Sequence, residues 1–359
     1  MTMNARTLPR SPRRAFALWL GLCFTLMTGL RAAPAQAQEI IVKLGTSAPV
    51  GSPWHILMKE AAEKWTTVSG GRVKMRIFAG GTMGNEGDMV KKMRIGQLQA
   101  AGLSTIGLHE ITQEPLALDL PFVIQSPEER DYVLSKMGKQ LEDALEKKGF
   151  VVLNWSEIGF VRFFTTEARP TVDKMRDAKV FSWDGDPDST NAWKAAGFHP
   201  VVLSATDILP SLQTGMINAL AYPPAVVLTT RIHDKAKFML DMVLSSLTGA
   251  LIIDKRTWDK IPADVRPKLL EIARELGRKT VADSRKMESE ALTKMKAQGL
   301  QVVKPDSKEA WPVAWQKANK VVRGKVVPAA GSPVGRIVPV APPATRSRAR
   351  PACCRACAG

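Results

Sequence analysis

Cysteine is missing from residues 38–325 of this 359-residue chain; its four cysteines are Cys23, Cys353, Cys354 and Cys357. The body of the protein therefore has no disulfide framework, no thiol nucleophile and no thiolate metal site. The late cluster of three lies in a Pro/Ala/Arg-rich stretch with no histidine nearby, one ligand short of a zinc site, and reads as an unstructured tail over 326–359. Acidic residues are missing from both ends. Residues 1–37 hold Arg6, Arg10, Arg13, Arg14 and Arg31, and residues 326–359 hold Arg336, Arg346, Arg348, Arg350 and Arg355, with no Asp or Glu in either stretch. Ten of the seventeen net positive charges thus sit in the ends, and the body is only mildly basic. A nucleic-acid binder would keep its excess charge in the folded part, so no nucleic-acid partner is expected. No glycine period, heptad repeat or series of apolar 20-mers occurs, which excludes collagen, coiled coil and polytopic membrane protein.

Catalytic motifs are scarce too. The four histidines (His55, His109, His199, His233) are far apart and none stands in a metal-binding spacing. There is no G-x-S-x-G elbow, Walker A motif or G-x-G-x-x-G. Asp184-Gly185-Asp186-Pro187-Asp188 lacks the ladder and terminal Glu of a calcium loop and reads as an Asp helix cap. The pattern speaks for binding rather than turnover, with no cofactor and no metal. A secreted hydrolase using Asp184 or Asp186 as acid or base is the alternative from a different class.

What is present begins with an export signal. A basic segment ends at Arg14, an apolar stretch covers 15–30, and Ala35-Gln36-Ala37 forms an A-x-A cleavage pattern. The apolar stretch falls short of the roughly 20 residues needed to span a bilayer. Residues 1–37 are therefore predicted to be a cleaved signal peptide, and the mature protein to be periplasmic. Arg13-Arg14 with Phe16 leaves both the general and the twin-arginine routes open.

The body alternates short apolar strands with amphipathic helices, the pattern of an α/β protein. Strands are predicted at 39–44, 72–78, 99–103, 150–155, 161–165, 179–183 and 200–203. Helices are predicted at 52–69, with Ile56, Leu57, Ala61 and Trp65 inward, and at 85–95, 126–148, 187–196, 206–214 and 263–296. Two α/β lobes against long C-terminal helices suit a ligand held in a cleft between them.

One segment is specific enough to identify a relationship. Ser204-Ala-Thr-Asp207-Ile-Leu-Pro-Ser-Leu-Gln-Thr-Gly215-Met-Ile-Asn218 resembles the ALQTGxxD signature of the DctP-type solute-binding proteins of TRAP (tripartite ATP-independent periplasmic) transporters. Other landmarks follow in the family's order: Gly84-Asn85-Glu86, Gly96-Gln97-Leu98-Gln99, Leu120-Pro121-Phe122, the stretch from Gly159 to Pro170, and Ile261-Pro262-Ala263-Asp264. The resemblance implies a two-lobed periplasmic binding protein fold with crossing hinge strands and a long C-terminal connecting helix. It places lobe I at 38–158 with about 248–286 and lobe II at 159–247 with about 287–325. It implies capture of a small organic acid and delivery to the small and large membrane subunits of a TRAP permease. A binding protein of an ATP-driven importer is the nearer alternative.

Carried over by position, Arg162 matches the family arginine on the first strand of the second lobe, where a guanidinium can hold a carboxylate by paired hydrogen bonds. The family's other ligand arginine is replaced by Phe181, with Trp183, Asp184 and Asp186 beyond it. Two readings of the ligand follow. In the preferred one it is a monocarboxylate with a larger apolar or hydroxylated body, its acid on Arg162 and its body on Phe181 and Trp183. In the other it presents a cationic or hydroxyl group to Asp184 or Asp186. Ser104 and Thr105 after the third strand, Glu86 at a helix start, and Tyr222 complete the expected site.

Overall fold

The computed structural model describes residues 39–325 except Gly185, with side chains to Asn319. The predicted signal peptide and the cysteine-bearing tail lie outside the described residues.

Capping residues set where the helices begin. Ser52, Asn85, Ser126 and Asp186 each accept a hydrogen bond from a backbone N–H of the first turn that follows, satisfying a donor the helix itself leaves unpaired. The chain runs β1 (Ile40–Thr46), α1 (Pro53–Val68), β2 (Val73–Phe78), α2 (Glu86–Arg94), β3 (Ala100–Ser104), α3 (Thr105–His109), a 3-10 turn (Glu114–Asp119), α4 (Pro127–Lys147) and β4 (Phe150–Thr165). Then come α5 (Val172–Arg176), β5 (Lys179–Trp183), α6 (Pro187–Ala195), β6 (His199–Leu203), a 3-10 turn (Ala205–Asp207), α7 (Ile208–Thr214), β7 (Ala219–Tyr222) and α8 (Pro224–Thr229). A third 3-10 turn (Ile232–Asp234) leads to β8 (Phe238–Leu240), β9 (Ser245–Asp254), α9 (Lys255–Lys260), α10 (Arg266–Ala297), β10 (Gln301–Val303) and α11 (Ala310–Lys325).

The strands follow the order β2-β1-β3-β9-β4-β7-β5-β6, with β8 on β4 and β10 on β8. Pairing is parallel within β2-β1-β3 and within β7-β5-β6, as β-α-β crossovers require. Between these two parallel groups run β9 and β4, antiparallel to each other. The molecule is thus two α/β lobes joined by long crossing strands. Helix α10, 32 residues long, packs on α1, β4 and α8, while α11 packs on α6.

Two expectations are corrected. The strands predicted at 150–155 and 161–165 are one 16-residue strand, β4. Gly159 looks like a break in the sequence, but in β4 it adopts φ 147° beside a register shift, so it bends the strand without ending it. A Cβ at this position would stand 2.8 Å from the Pro223 ring. On α1, Ile56 faces solvent and Trp54 takes the inward place, because Trp54, Leu57, Ala61 and Trp65 form the stripe a helix can bury.

Candidate functional site

Between the lobes lies a cavity of about 730 Å³. Its rim is made where strands end: Thr46 and Ser47 at the end of β1, Ser104 at the end of β3, Trp183 and Asp184 at the end of β5, Ser204 after β6 and Tyr222 at the end of β7. The carboxyl ends of parallel strands are where open α/β sheets present their loops to ligands. Helix α1 supplies Trp54, Leu57 and Met58, β4 supplies Asn154 and Ile158, and α10 supplies Leu276 and Thr280.

Of the residues anticipated from sequence, the cavity brings together Glu86, Ser104, Trp183, Asp184 and Tyr222. Trp183 and Tyr222 form a wall of two stacked rings with centroids 5.7 Å apart. Phe181 is not at the surface of that wall. It is buried behind it, its ring edge-on to Trp183 at 5.3 Å and to Tyr222 at 5.9 Å. Alternation along β5 does put Phe181 and Trp183 on one face, but only Trp183, nearer the strand end, reaches the cavity.

Glu86 opens α2, and its Oε2 accepts three hydrogen bonds: from the Ser104 N–H (3.0 Å), the Ser104 hydroxyl (2.7 Å) and the Gly107 N–H (3.0 Å). A Cβ on residue 107 would fall 2.5 Å from that oxygen, so glycine is required there. Burial raises the Glu86 carboxyl above its ordinary range, and the three hydrogen bonds only partly offset this. Tyr222 is pushed well up as well, by burial first and then by the nearby charge of Glu86. Its hydroxyl has no hydrogen-bond partner among the described residues.

Thr105 is fully buried outside the cavity, and its hydroxyl donates to Asp119. Burial raises the Asp119 carboxyl well above its ordinary range. The Thr248 N–H (3.3 Å) and the Arg130 charge oppose that shift, and the charges of Asp186 and Glu86 add to it. Asp186 is a buried cap of α6, accepting from the Ser189 N–H at 3.0 Å, and does not line the cavity.

Arg162 does not line the cavity either. It pairs in register with Tyr222 across β4 and β7, so both side chains leave the same face of the sheet. Its Nη1 lies 3.8 Å from Asp241, its side chain is 18% exposed, and its Nε has no partner. Glu288 of α10, whose Oε2 accepts from the Phe160 N–H at 3.0 Å, feels the Arg162 charge. The guanidinium thus faces acidic side chains of the protein itself.

Sequence reasoning missed Trp54, Asn154, Ile158, Asp88 and Glu110, all of which line the cavity. Only Trp54 carried a usable signal, its place in the buried stripe of α1. The others depend on how β4, α2 and the end of α3 are aimed in three dimensions. Among the described residues of the lining there is no lysine, arginine or histidine, whereas Glu86, Asp88, Glu110 and Asp184 are present.

At the junction of the lobes, Glu157 of β4 is fully buried. It accepts from Arg285 of α10 (Nη2 at 2.9 Å, Nε at 3.1 Å) and lies 3.6 Å from the buried Arg130 of α4, whose Nη2 donates to the Ser156 carbonyl at 2.8 Å. This ion cluster ties the crossing strand to both long helices. A second tie runs between the parallel groups: His109 of α3 stands 3.1 Å from Asp188 of α6.

The family model for bacterial extracellular solute-binding protein family 7, DctP, matches residues 44–324. The chain is similar to the C4-dicarboxylate-binding periplasmic protein DctP of Rhodobacter capsulatus, 26% identical over 246 residues, which are 65% of this chain and 70% of that protein. Among solved structures it resembles a TRAP periplasmic solute-binding protein of Roseobacter denitrificans with bound β-D-glucuronate. The TM-score there is 0.77 at 19% identity, covering 83% of this chain and 98% of the other. A TRAP solute-binding protein of Citrobacter koseri with bound D-glucuronate aligns with TM-score 0.75 at 23% identity, covering 84% and 99%. Taken with the two-lobed fold and the cavity at its centre, the match over residues 44–324 means that this chain belongs to the DctP-type solute-binding proteins of TRAP transporters.

Proposed function

We propose that the chain is the periplasmic receptor of a TRAP transporter, taking one small organic acid into the interlobe cavity and handing it, chemically unchanged, to the small and large subunits of a membrane permease. The lobe limits adopted are 38–158 with about 248–286, and 159–247 with about 287–325. Contacts made only when the lobes close on the solute would bias the hinge toward the closed form, and docking on the permease would reopen it. The observation that carries this reading is the cavity itself, walled by strand ends of both parallel groups and by the Trp183–Tyr222 ring pair.

A monocarboxylate fits better than a dicarboxylate, because Glu86, Asp88, Glu110 and Asp184 on the lining would repel each added negative charge. The Tyr222 hydroxyl is a donor available to the acid, and Arg162, its cross-strand neighbour on β4, is the family-matched cation. A second reading is favoured by the same lining: with carboxylates and no basic side chain, the cavity also suits a solute that presents a hydroxyl or ammonium group to Asp184.

Calorimetric titration of the ligand-free protein with monocarboxylates and dicarboxylates, repeated on Arg162→Ala, tests the proposal. Monocarboxylates should bind in the micromolar range or tighter, and the variant should bind them at least tenfold more weakly. Tighter binding of dicarboxylates, or affinity untouched by the substitution, would remove the monocarboxylate reading or the arginine's part in it.

A further inference from the structure

The walls of the cavity carry one more conclusion, which rests on the receptor reading just given. We infer that the solute has a predominantly apolar body, a hydrocarbon chain or ring bearing a single polar end, and is not a polyhydroxylated acid.

Space is the first ground. The cavity measures about 730 Å³. A solute spanning that cleft meets Leu57, Met58, Ile158, Val226, Leu251 and Leu276, lining side chains that offer apolar surface.

Hydrogen-bond supply is the second ground. A sugar acid brings several hydroxyls, and each one buried without a partner costs about 1–3 kcal/mol. Most polar side chains of the lining are already committed within the protein. The Ser104 hydroxyl donates to Glu86 (2.7 Å) and the Asn154 amide to the Ala273 carbonyl (2.9 Å). The Thr230 and Thr280 hydroxyls each donate to a carbonyl one turn back in the chain, Val226 and Leu276, at 2.8 Å. Ser204 is joined to Asp207 at 2.7 Å, and the Trp54 indole N–H turns away to Ser284 at 3.2 Å. Among the side chains left over, the Tyr222 hydroxyl at the end of β7 is a free donor that feels the Glu86 charge, and Asp184 and Glu110 are acceptors. A solute with one polar head and an apolar body asks for few donors, whereas each hydroxyl of a sugar acid asks for its own partner.

The test titrates the ligand-free full chain with two straight-chain series, carboxylates and amines from four to ten carbons, and with D-glucuronate and D-erythronate as hydroxylated comparators. Each added CH2 is expected to tighten binding about fourfold, which is ~0.8 kcal/mol, until the cavity is full, and the longer chains should bind better than either sugar acid. Trp183→Ala should weaken the longer chains tenfold or more, with Trp183→Phe retaining most of the affinity as a milder replacement. A flat series, tighter binding of a sugar acid, or no binding of any probe would overturn the apolar body. The head group is read separately: amines outbinding the matched carboxylates would overturn the monocarboxylate reading and leave the apolar body standing.

Discussion

Removing Arg285 exposes the energetics of the hinge. Glu157 is buried to 0% exposure on the crossing strand, and Arg285 neutralises it with two guanidinium nitrogens at 2.9 and 3.1 Å. Arg285→Ala would strand that carboxylate in the interior. Breaking a buried, hydrogen-bonded pair from one side costs roughly 3–5 kcal/mol. Two features put this case near the lower end, about 3 kcal/mol: Arg130 remains 3.6 Å away, and the Arg285 side chain is 32% exposed. The accompanying Arg285–Asp131 pair, 2.8 Å long but half-exposed at the aspartate, adds little. Urea unfolding followed by tryptophan fluorescence measures the loss. The double variant Arg285→Ala with Glu157→Gln should recover part of it, because the uncompensated charge is then gone. A loss below about 0.5 kcal/mol, the size of an ordinary surface substitution, would refute the claim that this cluster holds the hinge. So would a double variant as unstable as the sum of the singles.

The Asp119 carboxyl, raised by burial, should make the fold less stable as pH rises through its elevated range, since the unfolded chain ionises first. Asp119→Asn removes that contribution, so in thermal melts the variant should gain on the parent steadily from acidic to neutral pH; parallel curves would contradict the assignment. Phe181→Ala should cost about 3–4 kcal/mol as a buried ring lost from beneath Trp183 and Tyr222. It should also loosen the aromatic wall, seen as faster amide exchange in β5 and β7. Unchanged stability and exchange would mean that Phe181 does not support the wall.

The elements were legible in the sequence wherever a local signal fixes them. Ser52-Pro53, Asn85, Ser126 and Asp186 begin helices as their capping chemistry demands. Gly215 ends α7 in the left-handed conformation that favours glycine. Signals that depend on partners were not legible. Gly159 reads as a break because nothing local reveals the neighbouring strand that carries β4 through it. The site divided in the same way. Glu86, Ser104, Trp183, Asp184 and Tyr222 stand at or beside element ends, where topology alone sends a side chain toward the cleft. Arg162 and Phe181 lie within strands, and their direction is set by neighbours, Asp241 and Glu288 for the first and the stacked rings for the second. Thr105 was drawn the other way, by Asp119.

The most direct test of the account is a crystal structure of the chain grown with the solute that binds it most tightly. One molecule should be enclosed between the lobes, its body against Trp183 and its polar end beside Tyr222 and Glu86. A solute bound outside that cavity, or turned with its polar end among Leu57, Val226 and Leu276, would contradict it.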